Sequence, residues 1–184
     1  MIMNKMLIYL MAIALDLLLI SLFNQIAFLS YIHLIPVNTF FFIVLLHTHH
    51  HSISLKEIVM LFVLGFGLDI LYATPLFMNA VTLIIVVVIA HLVKIYFNDN
   101  GFERIMFLLV LLFLKELFNY AILFVTLKTT LLPQMWFIQR VFFVISLNVP
   151  WMLLAVRVFS HYQISEKKNL RRQRQKESTI QYFR

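Results

Sequence analysis

Five ionisable side chains lie inside runs of apolar residues, where they could hold a solute, move a proton or pair with one another. They are Asp16, Asp69, Lys115, Glu116 and Arg140. An isolated charge at the centre of a membrane helix costs about 2.5 to 3.5 kcal/mol on insertion scales. We therefore expect these groups either to pair with one another or to line a cavity that contains water.

Depth along the predicted helices indicates which of these charges meet. Asp16 and Lys115 each lie about ten residues from the same end of their helices, which makes them candidate partners. Asp69 and Arg140 each lie near the opposite end, and we predict that they are in contact. This second pair is the stronger prediction, because an arginine binds a carboxylate through two parallel hydrogen bonds and offsets its desolvation better than a lysine does. Structural ion pairs and a polar cavity for a solute or a proton both remain open interpretations.

The histidine-rich stretch His47-Thr-His49-His50-His51 is the other group of side chains with potential chemistry. Neutral imidazoles suit zinc, copper or nickel. No carboxylate or thiolate lies beside the stretch, and the chain contains no cysteine. Anchoring at a membrane interface is therefore the favoured interpretation, and the sequence predicts neither a metal site nor a cofactor.

Sequence motifs of the common enzyme classes are absent. The chain has no G-x-S-x-G elbow, no H-E-x-x-H pair and no phosphate-binding loop. Its serines and acids show no spacing that would join a nucleophile to a base. We expect that the protein is not an enzyme.

The elements that position these side chains are predicted to be membrane helices. Of 184 residues, 62% are hydrophobic and 12% are charged, whereas soluble domains are about 45 to 50% apolar. A chain in hydrocarbon must satisfy its own backbone hydrogen bonds, which favours helices. The predicted fold class is an all-α integral membrane protein, a bundle of six transmembrane helices at about residues 6–28, 36–46, 55–72, 75–97, 102–127 and 134–159. The second is short, and we expect it to be tilted or interfacial.

The positive charge is concentrated on one side of this predicted topology. Six spans place both termini and nearly all Lys and Arg residues on one side, which the positive-inside rule assigns to the cytoplasm. The sequence thus predicts a membrane domain at 1–160 and a basic cytoplasmic tail at 161–184. The tail is expected to contact anionic lipid or a cytoplasmic protein rather than nucleic acid, through Lys167, Lys168, Arg171, Arg172, Arg174 and Lys176.

The third and fourth spans form a predicted helical hairpin around residues 61–90. Ser54 and Glu57 have the spacing of a capping box, which predicts that the third helix begins near Leu55. Gly65 and Gly67 are small residues of the kind that allow two membrane helices to approach closely. Both are predicted to lie at a packing or partner interface.

This hairpin resembles the rod shape-determining protein MreD family. The family shows a glycine one turn before an aspartate, then a break, then a leucine-glycine-x-asparagine-like stretch. Gly65, Asp69, Leu76 and Asn79 match these positions, while Phe77 stands where the family often has glycine. The specific part of the resemblance is about fifteen residues long, and the rest of the chain agrees in length and hydropathy.

The resemblance implies a function in bacterial cell elongation. It implies a non-catalytic subunit of the cytoplasmic (inner) membrane, with MreC as partner and with the actin-like MreB, the synthase RodA and a class B penicillin-binding protein in the same machinery. It also implies a fold similar to the S component of energy-coupling-factor transporters. A packing or partner interface would then include Gly65, Gly67, Asp69 and Asn79.

A second function from another class also fits the buried charges. A solute-binding transport subunit would use a cavity lined by Asp16, Asp69, Asn79 and Glu116. Rounding of rod-shaped cells on depletion, together with co-purification of MreC, would support the assembly function, whereas dependence of solute uptake on the protein would support transport.

Overall fold

Helices form nearly all of the chain that the structure describes. The computed structural model describes residues 2–24, 38–51, 53–72, 74–98, 100–126, 129 and 132–182, and these contain helices and no strand. The helices are α1 (Ile2–Asn24), α2 (Thr39–His50), α3 (Leu55–Leu71), α4 (Met78–Val93) with a 3-10 turn (Lys94–Tyr96), α5 (Gly101–Val125), α6 (Pro133–Trp136) with a π-helical turn (Phe137–Val141), and α7 (Phe142–Tyr182).

Three of these helical segments are long and apolar enough to cross a membrane, among the described residues. They are Met78–Tyr96, Gly101–Val125 and Phe142–Tyr162. The all-helical class is therefore confirmed, and the number of six spans stays a prediction. α2 has 12 residues and is about 18 Å long, shorter than the roughly 30 Å of a hydrocarbon core, as the sequence indicated.

The start of α3 is the predicted capping box. Ser54 Oγ accepts a hydrogen bond from the Glu57 backbone N–H at 3.3 Å, and Glu57 Oε2 accepts one from the Ser54 N–H at 3.0 Å. The helix begins at Leu55 as predicted. Lys5 of α1 forms an ion pair with the same Glu57 carboxylate, so the cap also joins the first turns of α1 and α3.

Helix α2 is the centre of the core. Its side chains at Phe42, Leu45 and Leu46 are completely buried, and it packs against α1, α4, α5 and α7. A short helix that is apolar on every side is stable only when other helices surround it. These four helices therefore surround α2.

Helices α3 and α4 approach each other closely at Gly65. A Cβ atom added at Gly65 would lie 2.6 Å from Ala80 Cα and 3.0 Å from Ala80 N, so only glycine fits at this crossing. Gly65 is thus confirmed as a packing position. A Cβ added at Gly67 would meet nothing within 4 Å, so Gly67 is not a close packing position within the described bundle, and its place at a partner interface stays a prediction.

Two predicted helix boundaries are also wrong. Helix α4 begins at Met78 and not at Pro75, because Phe77 adopts a left-handed backbone conformation with φ of 67° that interrupts the helix. The last helix does not end near residue 159 but continues to Tyr182. Past Pro150 it contains no glycine or proline, and its Lys, Arg, Gln and Glu residues are good helix formers.

Candidate functional site

Asp69 connects the two arms of the α3–α4 hairpin. It is 1% exposed. Its Oδ1 accepts hydrogen bonds from the Asn79 backbone N–H at 2.8 Å, from Asn79 Nδ2 at 2.9 Å and from Thr74 Oγ1 at 2.7 Å, and its Oδ2 accepts one from the Ala80 N–H at 3.3 Å. The carboxylate therefore caps the first turn of α4, where unpaired N–H groups and the helix dipole favour a negative charge.

The predicted contact between Asp69 and Arg140 is wrong. Arg140 Nε donates instead to Glu116 Oε2 at 3.0 Å, and the other oxygen of Glu116 lies 3.9 Å from Lys115 Nζ. Glu116 is fully buried. Asp69 makes its hydrogen bonds within its own hairpin. The charge of Arg140 is compensated instead by Glu116 of α5.

Asp16 caps the first turn of α2, as Asp69 caps the first turn of α4. Its Oδ1 and Oδ2 accept the backbone N–H groups of Thr39 and Phe40, both at 2.9 Å. Asn148 Oδ1, on α7, accepts the N–H of Asn38 at 3.0 Å. The N-terminus of α2 thus lies inside the bundle, and side chains of two other helices satisfy its first N–H groups.

The predicted Asp16–Lys115 pair is not a direct contact. Lys115 Nζ donates to the Asn38 side-chain oxygen and lies 5.2 Å from the centre of the Phe41 ring. Asp16 and Lys115 do line the same cavity. Asp16 binds the Thr39 N–H and Lys115 binds the Asn38 side chain, so both reach the N-terminus of α2, and the predicted bond between them is wrong because this N-terminus lies against Asp16.

This cavity, which we call the central cavity, has a volume of about 230 Å³. Its wall comes from α1, α2, α3, α4, α5, the α3–α4 turn and the π-helical turn. The polar part of the wall consists of Asp16, Asn38, Tyr72, Thr74, Asn79, Lys115, Asn119 and Arg140, and the apolar part of Ile20, Phe40, Phe41, Leu68, Pro75, Met78, Leu83 and Leu123.

Of the four residues predicted to line a solute cavity, two do so. Asp16 and Asn79 belong to the wall. Asp69 and Glu116 lie behind it, where Asp69 holds Asn79 and Glu116 holds Arg140. Both acids therefore position residues of the wall and do not form it themselves.

Comparisons were made with models of known protein families, with characterised proteins and with solved structures. None of them matches the chain.

Sequence reasoning assigned no role to three asparagines that the structure brings to this region. Asn38 joins Lys115 to Asn148, and Asn119 adds an amide to the cavity wall. Asn119 and Asn148 each interrupt a long apolar run, and a polar group at that depth needs a partner. That signal marks the positions but does not identify the partners.

The histidine-rich stretch packs mainly against aromatic rings. The His49 ring lies 5.0 Å from Phe107 and the His50 ring 5.3 Å from Phe159, measured between ring centres. Among the described residues, no group of three or more His, Cys, Asp or Glu side chains is arranged to hold a metal ion. The observed contacts are those of a packed helix end.

The basic tail residues extend the last helix. The backbone of α7 is helical through Tyr182, which includes the positions 167–176 of the predicted surface contact. Their side chains lie outside the described part of the structure, and the contact stays a prediction.

Proposed function

We propose that this chain is a non-catalytic subunit of the bacterial cytoplasmic membrane that helps to assemble the cell-elongation complex, as the MreD family does. In this proposal six helical segments lie in the membrane, both termini face the cytoplasm, and α2 is a half-helix enclosed by the others. Three helices with the length and composition of spans support the membrane location. Helix α1, with 23 residues, is about 34 Å long and would also cross the hydrocarbon core.

The observation that carries the proposal is the geometry of the hairpin motif. Gly65 touches Ala80, and Asp69 binds Asn79 across the break. Phe77, which stands where the family often has glycine, has a positive φ of the kind that glycine adopts most readily. The residues that resemble the family motif thus stabilise the same helical hairpin. A chance match of short apolar segments would not be expected to give residues that contact one another in this way.

The motif residues have two separate roles in this proposal, one inside the hairpin and one at a partner contact. Asp69 and Gly65 hold the hairpin together, so neither is available to a partner. Gly67 points the other way and belongs to an outward face of α3 with Val59, Val63 and Ile70, which are 57%, 61% and 63% exposed. A single-pass helix of a partner such as MreC could approach the backbone closely at Gly67, as helices do at small residues in lipid.

The function is tested by removing the protein from a rod-shaped bacterium that makes it. Depletion should round the cells, and the tagged chain should purify together with the MreC-type protein of that bacterium. MreB, RodA and the class B penicillin-binding protein are expected to be recovered through that partner. Normal rod shape after depletion, with no MreC-type protein recovered, would contradict the proposal.

A second candidate function is a solute-binding subunit of a membrane transporter, resembling the S components. The central cavity of about 230 Å³, with Lys115, Arg140 and Asn119 in its wall, supports it. Uptake of a solute that ceases on depletion while cell shape stays normal would favour this candidate over the first.

A further inference from the structure

We infer that the central cavity binds a small, water-soluble monocarboxylate that has an apolar body and an N–H or O–H donor. The inference deepens the second candidate function, since it rests on the same cavity, and it is independent of the assembly function. Three parts of the ligand would contact three different parts of the cavity wall.

The first part is the carboxylate, which would bind Lys115 and Arg140. Both side chains line the cavity, and both lie near the buried Glu116 carboxylate, at 3.0 Å from Arg140 Nε and 3.9 Å from Lys115 Nζ. The other wall acid, Asp16, has both oxygens bonded to the first turn of α2. With Asp16 in the wall and Glu116 behind it, carboxylates and cations are equal in number, so a ligand carboxylate would be held by charge-assisted hydrogen bonds from Lys115 and Arg140 and not by a surplus of positive charge.

The second part is the donor, which would bind Asn119. This side chain is 4% exposed and lines the cavity, yet its Oδ1 has no hydrogen-bond partner among the residues that the structure describes. A buried carbonyl oxygen without a donor is costly. Oδ1 has almost no surface open to the cavity in this conformation, so the amide must turn toward the cavity before an N–H or O–H group of a ligand can satisfy it.

The third part is the apolar body, which the remaining wall accommodates. Phe40, Phe41, Leu83 and Leu123 are among the apolar residues that line the cavity. A volume of about 230 Å³ corresponds to roughly eight waters at about 30 Å³ each. That space suits an acid with one or two aromatic rings, and a fully polar ligand would leave much of the wall without a partner.

The experiment measures binding to the full chain in nanodiscs of zwitterionic phosphatidylcholine. The probes are 4-aminobenzoate and indole-3-acetate, each compared with its uncharged amide, 4-aminobenzamide or indole-3-acetamide. Benzoate, which lacks the donor, completes the set. We expect the two amino or indole acids to bind, benzoate to bind more weakly, and the amides to bind about tenfold to a hundredfold more weakly than their acids.

Two variants assign the contacts. Lys115→Gln should remove the preference for the acid over the amide, and the exposed Lys56→Gln serves as its matched control and should keep it. Asn119→Leu should abolish the advantage of 4-aminobenzoate over benzoate. It should also unfold at the same or a higher temperature than the parent protein without ligand, because it removes an unpaired polar atom at similar volume. Loss of binding in a variant that stays folded separates a ligand contact from a structural one.

Three results would overturn the inference: no binding by either acid, equal binding of acids and amides, or displacement of the acids by phosphatidylglycerol added to the nanodisc. The last result would assign the site to a lipid headgroup. None of them bears on recovery of an MreC-type partner, so failure here is distinguishable from failure of the assembly function.

Discussion

Asp69 Oδ1 accepts both the backbone N–H of Asn79 at 2.8 Å and its side-chain amide at 2.9 Å. One carboxylate oxygen thereby fixes the end of α3 to the start of α4. The arrangement is internal to the hairpin, so these bonds of Asp69 stabilise the fold.

Replacing Asp69 therefore tests the hairpin directly. Asp69→Ala leaves the Asn79 and Ala80 N–H groups without an acceptor, and we expect it to lower the free energy of unfolding by about 3 kcal/mol or more. Asp69→Asn keeps one acceptor oxygen and should cost less. Thermal unfolding in detergent measures both, with the exposed Ile70→Ala as control. Equal stability of Asp69→Ala and Ile70→Ala would contradict the assignment.

The two glycines of α3 form a matched pair. Gly65→Ala forces a Cβ to 2.6 Å from Ala80 Cα, and separation of the helices should cost about 1 to 3 kcal/mol. Gly67→Ala meets open space and should be neutral or stabilise the helix by up to about 1 kcal/mol. The unfolding temperatures of the two variants, measured in parallel, test this prediction. A lower unfolding temperature for Gly67→Ala than for Gly65→Ala would be incompatible with the described crossing of α3 and α4.

The left-handed conformation of Phe77 predicts an unusual order of stability. The Phe77 ring stacks on Phe62 and Phe66 at 6.0 and 5.2 Å, so both Phe77→Ala and Phe77→Gly lose these contacts. Only glycine also relieves the positive φ, and Phe77→Gly should be more stable than Phe77→Ala by about 1 kcal/mol. Chemical denaturation of the two proteins provides the comparison, and an alanine variant at least as stable as the glycine variant would argue against a positive φ.

A double-mutant cycle tests the corrected ion pair. Glu116→Gln and Arg140→Gln, alone and combined, should give a coupling energy of about 1 to 3 kcal/mol, because the two groups are in direct contact. The cycle between Asp69→Asn and Arg140→Gln should give a coupling near zero. Unfolding free energies provide both values, and the reverse pattern would restore the pairing expected from the sequence.

Features within one helical turn were predictable from the sequence. The direction in which a side chain points around its helix axis was not. Ser54 and Glu57 make their capping box within one helical turn, so their spacing alone defines it. Depth along a helix follows from the rise per residue, which predicts that Asp16 and Lys115 lie at one level, and both side chains reach the N-terminus of α2. Which way a side chain points around the helix axis depends on packing, and Asp69 and Arg140 were wrongly paired for that reason.

The two glycines illustrate the same limit. Residues two apart on a helix are separated by about 200° of rotation, so Gly65 and Gly67 face opposite sides. Helical geometry thus allowed only one of them to face α4, and the sequence did not say which. The three-dimensional packing identifies Gly65 as the internal contact and leaves Gly67 on the exposed face.

That exposed face provides the most direct test of the proposed assembly function. In a rod-shaped bacterium that makes this protein, the chromosomal copy would be replaced by Gly67→Leu, and cell width, protein level and recovery of the MreC-type partner would be measured together. We predict a normal protein level, loss of the partner and rounded cells, because the leucine blocks close approach of a helix without disturbing α4. Normal rods with undiminished partner recovery would contradict the account.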